Sequence, residues 1–207
     1  MIDLYTWSTP NGIKASIALE ELGIDYTVHP INIGKDEQFD PEFLKISPNN
    51  KVPAIVERTS GRSVMESGAI LYYLAQKHNS LLGDDPITTL EWLMLQMGGV
   101  GPMLGQVHHF LQFNKGISDY AENRYWTEGL RLYGVLDRRL SEHEYLAGSY
   151  SIADIATWPW ISRWEWHNVD WSKFPNLKRW YRLIAERPTV IKGYNVPREL
   201  GPIPIPN

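Results

Sequence analysis

Three short stretches of this chain hold residue types whose spacing could do chemistry. In Trp7-Ser8-Thr9-Pro10-Asn11-Gly12, two hydroxyls and an amide crowd a turn that leads into an apolar-periodic run. A helix starting there presents unpaired N–H groups and a partial positive charge, which stabilise an anion; the Thr9 hydroxyl or the Asn11 amide could add a hydrogen bond. The plainer role is a helix cap at Ser8 or Thr9 and a turn at Asn11-Gly12, and for this stretch alone that role has the better claim. Lys51-Val52-Pro53-Ala54 heads a strand pattern. A proline there removes a donor, could be cis, and leaves the Val52 N–H and C=O as an edge on which an extended peptide can pair; a simple strand-initiating proline is the commoner case. Glu66-Ser67-Gly68 stands at a strand-to-helix junction. Ser67 reads as the N-cap of a helix whose N-terminus takes a carboxylate, and Glu66 beside it could pair with an ammonium group. A capped helix with a surface acid would again suffice alone.

The elements that must position these residues follow from pattern. Residues 2–7 read as a strand, Ile13 to Leu22 as a helix stopped by Gly23, and Tyr26 to Ile31 as a second strand, so the chain opens β-α-β with a parallel pair. Pro41 to Ile46 suggests a short helix, 54–57 and 63–65 two short strands, and Ser67 opens another helix. Residues 79–86 form a linker, and everything after it reads helical: 88–113, kinked or two-part because of Gly98, Gly99, Gly101 and Pro102; 119–142; a run capped by Ser151-Ile152-Ala153-Asp154; and about 173–187 before an extended Pro-rich tail. The expected organisation is residues 1–78, a linker 79–86, and a helical domain 87–207.

Composition narrows the function. The 207 residues carry a formal charge of -4 and 43% hydrophobic residues, which argues for a packed core and against nucleic acid or an anionic membrane surface as partner. No stretch approaches the roughly 20 apolar residues of a membrane span, and no signal pattern opens the chain, so a cytoplasmic protein is expected. With no cysteine, disulfide scaffolds, thiolate zinc sites and a protein cysteine nucleophile are excluded. His108-His109 lacks a carboxylate at ligand spacing, and no metal is expected. Met103, Gln106 and Phe110 share one helix face and could line a second-substrate pocket or simply pack. Six of nine tryptophans lie between Trp158 and Trp180, a pattern better suited to a core than to a ligand cage.

A strand running through such a turn into a helix is where thioredoxin-like proteins keep Trp-Cys-x-Pro-Cys; here Ser8 and Asn11 stand at the cysteine positions. The thiol would then come from a ligand, and the three stretches together would grip a thiol, a peptide unit and a zwitterionic end, the parts of glutathione. Over nearly its whole length the chain resembles bacterial glutathione transferases, closest to the Nu-class group of disulfide-bond oxidoreductases. Thr-Pro-Asn-Gly at 9–12, Ile46 to Ile55, Glu66-Ser67-Gly68-Ala69-Ile70, Arg124-Tyr125 and Tyr150 to Ile155 carry the likeness. The resemblance implies a thioredoxin-like α/β N-terminal domain (β-α-β-α-β-β-α) followed by an all-α domain, forming a homodimer. It implies that Thr9 and Asn11 face the glutathione sulfur, Gln38 and Val52 its backbone with Pro53 cis, Glu66 and Ser67 its γ-glutamyl end, and Arg124 a carboxylate. Glutathione would be the co-substrate, and a small disulfide or electrophile the partner. Tyr5 and Ser8 are rivals for the sulfur; strand alternation makes Tyr5 a core residue. Conjugation as the main chemistry, or a non-catalytic regulatory protein keeping the fold, are the other readings.

Overall fold

The computed structural model describes residues 1–206. In chain order the elements are β1 (Ile2–Thr6), α1 (Pro10–Glu21), β2 (Tyr26–Pro30), α2 (Pro41–Ile46), β3 (Ala54–Glu57), β4 (Ser63–Met65), α3 (Ser67–His78), α4 (Pro86–Leu95), α5 (Gly101–His108), α6 (Asp119–Glu142), α7 (Ile152–Ile161), α8 (Pro175–Ala185) and α9 (Pro188–Tyr194). They form two compact units, one of Met1–Ser80 with Ala185–Ile203 and the other of Leu81–Ile184 with the tail from Pro204.

In the first unit four strands lie in the order β2-β1-β3-β4, with β1 parallel to β2 and antiparallel to β3. The parallel pair needs the crossover that α1 supplies. Alternation along β1 buries Ile2, Leu4 and Thr6 and leaves Asp3 and Tyr5 half-buried on the other face. Tyr5 is therefore not a core residue: it stacks on His29 at 4.6 Å. Helix α1 begins with Pro10 in its first turn, where the missing N–H costs nothing, and buries every residue from Gly12 to Leu19. It is covered by α3 and by α9. A β-carbon on Gly193 would lie 2.7 Å from the Ile17 backbone, so α9 can seat itself on α1 only through a glycine. Ser16 Oγ donates to the Gly193 carbonyl at 2.6 Å, and Arg187 grips Glu21 through two 2.7 Å bonds. The sequence pattern treated 173–187 as the last helix and did not show α9, although Pro188 is a start signal.

The second unit is helical. Residues 86–113 are one run rather than two helices: α4 and α5 run on through π-turns at Gln96–Val100 and His109–Phe113, each of which absorbs extra residues without ending the helix. Its core holds Trp158 and Trp180, both fully buried. Ser151 caps α7 in a reciprocal box with Asp154, whose buried carboxylate also accepts from Leu146 N and from Trp180 Nε1 at 2.8 Å. Trp160 belongs to α7, and Trp164 lies beyond its end in a short 3-10 turn. Among the described residues no helix is long and apolar enough to cross a membrane.

Candidate functional site

Strand register brings the three stretches to one end of the first unit's sheet. Tyr5 is level with Ala54, and Ala54 with Met65. Trp7 to Asn11, leaving β1, therefore emerge beside Val52-Pro53, entering β3, and beside Glu66-Ser67, leaving β4. The chain leaving β2 is tied to the same end by Ile31 N donating to Thr6 O at 2.9 Å. This is the carboxyl end of the parallel pair, where open α/β sheets place their ligands.

At the β1–α1 turn, Thr9 Oγ1 accepts from Gly12 N at 3.0 Å and so caps the helix. Its own hydroxyl proton donates to no group among the described residues, so it is available to an anion at the helix N-terminus. Ser8 Oγ is shut away from solvent with no hydrogen-bond partner among the described residues. Asn11 lies one turn position on, half-buried. Gly12 is needed because a β-carbon there would meet the Trp7 carbonyl oxygen at 2.0 Å. The next wall is backbone. The Val52–Pro53 bond is cis, and neither the N–H nor the C=O of Val52 has a backbone partner among the described residues. Gln38 sits in the turn Glu37–Phe39; its amide donates weakly to Asp36 at 3.4 Å, while Oε1 is buried without a partner.

The β4–α3 junction differs from expectation in one detail. Ser67 is the first residue of α3 rather than its cap; the cap position is Glu66, at φ 67 and without a side-chain cap bond. That φ lies in the left-handed region that a glutamate seldom adopts, and such outliers persist where the surroundings enforce them. Glu66 is exposed, and its Oε1 accepts from Asn49 Nδ2 at 3.1 Å. Behind Ser67 lies Lys14, 1% exposed, with Nζ 3.4 Å from Ser67 Oγ. Burial lowers its pKa to about 7, against an opposing pull from the Glu66 charge. Sequence reasoning assigned nothing to Asn49 or Lys14. The one available signal for Lys14 was a single charge inside an otherwise small and apolar run, Gly12 to Leu19.

In the second unit, Met103, Tyr120, Arg124 and Tyr125 line a cleft of about 600 Å³. Arg124 is exposed and makes no hydrogen bond or ion pair among the described residues, though its charge acts on Glu128 one turn away. Phe110 stacks on Tyr125 at 5.3 Å. Gln106 is half-buried on α5, and its side chain makes no hydrogen bond among the described residues. His108 and His109 do part company: His109 is exposed, whereas His108 is buried and bonds to His167, Nε2 to Nε2 at 2.8 Å. His167 Nδ1 in turn takes the Tyr133 hydroxyl at 2.8 Å. Burial holds His108 down near pKa 4 and His167 well below its ordinary value. Among the described residues no three His, Asp or Glu side chains gather as metal ligands would.

The model for the glutathione S-transferase N-terminal domain matches residues 1–76, and that for the C-terminal domain matches residues 109–188. Disulfide-bond oxidoreductase YfcG of Escherichia coli (strain K12) is 47% identical over 197 residues, covering 91% of this chain and 92% of its own length. Crystal structures give the same picture. Glutathione transferase from Pseudomonas putida, with one glutathione disulfide bound per subunit, matches at 43% identity and TM-score 0.88, covering 95% of this chain and 91% of that one. One from Burkholderia graminis, with two glutathione molecules per subunit, matches at 39% identity and TM-score 0.88, covering 95% and 88%.

Proposed function

The chain belongs to the glutathione transferase family, and from that premise we propose that it reduces small disulfides with the thiol of bound glutathione, as a Nu-class member. The observation that carries the reading is the meeting of the Thr9–Asn11 turn, the Val52 edge and the Glu66-Ser67 junction at one end of the sheet, in a chain with no cysteine. Thr9 O–H, the Asn11 amide and the α1 N-terminus stabilise the glutathione thiolate. The Val52 N–H and C=O pair with its cysteinyl unit and Gln38 with its backbone, while Glu66 and Ser67 hold the ammonium and carboxylate of the γ-glutamyl end. Arg124 is assigned to a carboxylate of glutathione or of a second glutathione, and Met103, Gln106 and Phe110 to the second substrate.

Without a protein thiol the reaction takes two glutathiones. The first thiolate attacks one sulfur of R–S–S–R, forming the mixed disulfide and releasing RS⁻. The second attacks the glutathione sulfur of that mixed disulfide, giving glutathione disulfide and a second RS⁻, which is protonated on release. The pairing of a disulfide-bond oxidoreductase relative with relatives holding two glutathiones or their disulfide supports this order. The same thiolate would also attack an electrophilic carbon, so the deciding experiment runs a small disulfide and a haloarene side by side, each with glutathione. Faster disulfide reduction at matched concentrations is expected; faster conjugation would reverse the assignment. No heat of binding and no melting shift at millimolar glutathione would remove both, because ligand at about 100 times its Kd stabilises by roughly 2.7 kcal/mol.

The proposal extends to a homodimer in the cytoplasm, where glutathione is held reduced. Met65 on β4 and Tyr72 on α3 are exposed apolar side chains of the first unit suited to a second copy. Sedimentation equilibrium checks the dimer.

A further inference from the structure

The segment after α9 brings a cation back to the β1–α1 turn. Helix α9 is seated on α1 through Gly193, and Asn195 Oδ1 accepts from Leu200 N at 2.7 Å, which closes the loop that follows. Within that loop Arg198 is exposed, and its Cζ stands 5.0 Å over the centre of the Trp7 ring. Trp7 opens the turn that holds Thr9. Thr9 N donates to the Trp7 carbonyl at 2.7 Å, and two residues of chain span at most about 7 Å. Apart from the ring, the guanidinium has no hydrogen-bond or ion-pair partner among the described residues. We infer that Arg198 is a specificity-determining residue: held over Trp7, it receives a carboxylate of the disulfide substrate, so that carboxylate-bearing disulfides are preferred to neutral ones. The inference deepens the disulfide reading above and rests on it.

The physical case has three parts. A cation over an aromatic ring is attracted by the ring's negative face, and that contact leaves the N–H donors of the planar fork open to a carboxylate, which matches them two at a time. A side chain already held by a ring also loses less freedom when it binds. Charge supplies the selectivity. In a disulfide that carries a carboxylate a few bonds from sulfur, the thiolate at the α1 N-terminus repels the incoming substrate, and a cation beside the turn offsets that repulsion. A neutral disulfide feels no such repulsion and gains nothing from the cation. The other cations on the strands and helices around α1 are committed: Arg58 to Asp3, Arg187 to Glu21 and Lys192 to Glu20. Arg198 differs from them in having an aromatic perch and no carboxylate.

The test compares dithiodipropionate with its neutral diamide, two disulfides that differ only in charge. Each is reduced with saturating glutathione, so that glutathione affinity drops out, and kcat/KM for the disulfide is read after subtracting the uncatalysed rate. The unmodified protein is expected to prefer the dicarboxylate. Arg198→Met is expected to fold, since the side chain is exposed and makes no hydrogen bond among the described residues. It should lose about tenfold with the dicarboxylate, the low end of the range for a charge-assisted contact because the residue is solvated, and less than about twofold with the diamide. Equal losses with both substrates, or no loss with the dicarboxylate, overturn the inference while disulfide reduction stands. An unmodified protein that reduces neither disulfide removes the inference and the functional reading together. Salt gives a second measure. Raising the ionic strength from about 0.01 M to about 1 M shortens the Debye length from roughly 30 Å to roughly 3 Å. The preference for the dicarboxylate should shrink with salt in the unmodified protein more than in Arg198→Met; the same salt response in both overturns the inference.

Discussion

At the scale of single residues, Thr9 shows that the plain and the chemical readings of a motif need not compete. Its Oγ1 caps α1 by accepting from Gly12 N, and its proton remains for an anion. Thr9→Ala should therefore do two separable things. Loss of the cap should cost about 1 kcal/mol of stability. Loss of the donor should raise the pKa of the bound thiol, so that activity appears only at higher pH and the disulfide rate falls roughly tenfold to a hundredfold at neutral pH. Thr9→Ser keeps the hydroxyl and should restore both; an alanine variant with the parental rate–pH profile would shift the thiol contact away from Thr9. Glu66→Ala should weaken glutathione binding by a similar tenfold to hundredfold, read by calorimetry, and unchanged affinity would put the ammonium contact elsewhere. Thr9, Asn11, Val52 and Glu66 were open to proposal from the sequence because their types carry a mechanism at a strand or helix end. Lys14 was not, since a lysine in a helix reads as solvent-facing, and its burial is set by α3 and α9, which arrive from distant parts of the sequence.

At the scale of elements, short-range pattern found β1 to β4 and α1 to α3 because their boundaries are written in proline, glycine and alternation. It failed where the decisive contact is long-range. Helix α9 is short, and its buried face is defined by the surface of α1 rather than by its own periodicity. Gly193 carries that contact: in Gly193→Ala the new methyl group must displace the Ile17 backbone or push α9 outward. A loss of about 1–3 kcal/mol in urea denaturation is expected, the usual range for overpacking. Parental stability would mean that α9 contributes little to the first unit. The glycines at 98, 99 and 101 mark where the run changes rather than where it ends: Gly98 and Gly99 lie in a π-turn and Gly101 opens α5.

Across the whole molecule, acid should expose the histidine pair. Both rings are held neutral in the folded state, with pKa values below the ordinary 6.5, while an unfolded chain binds protons on both once the pH drops through 6.5. Stability from this source is complete above about pH 6.5 and is lost below it, at roughly 1.4 kcal/mol per pH unit for each ring, until His108 itself titrates near 4. Asp154, pushed up to about 6 by burial, works in the opposite sense between 6 and its ordinary value, so the useful quantity is a difference. The loss of stability between pH 6.5 and 5 should be smaller in His108→Gln than in the parent, and equal slopes in denaturation curves would show that the pair does not titrate on unfolding. The return of α9 to the first unit has a consequence for how the protein is made. A ribosome releases residues in order, and when Ser80 has emerged the sheet and the first unit's residues proposed to bind glutathione are present. Yet α1 still lacks its cover, which leaves the ribosome only after the entire helical unit. The unit whose synthesis begins first is thus the one whose packing is completed last, and during that interval α1 exposes an apolar flank on which chaperones or neighbouring nascent chains can act.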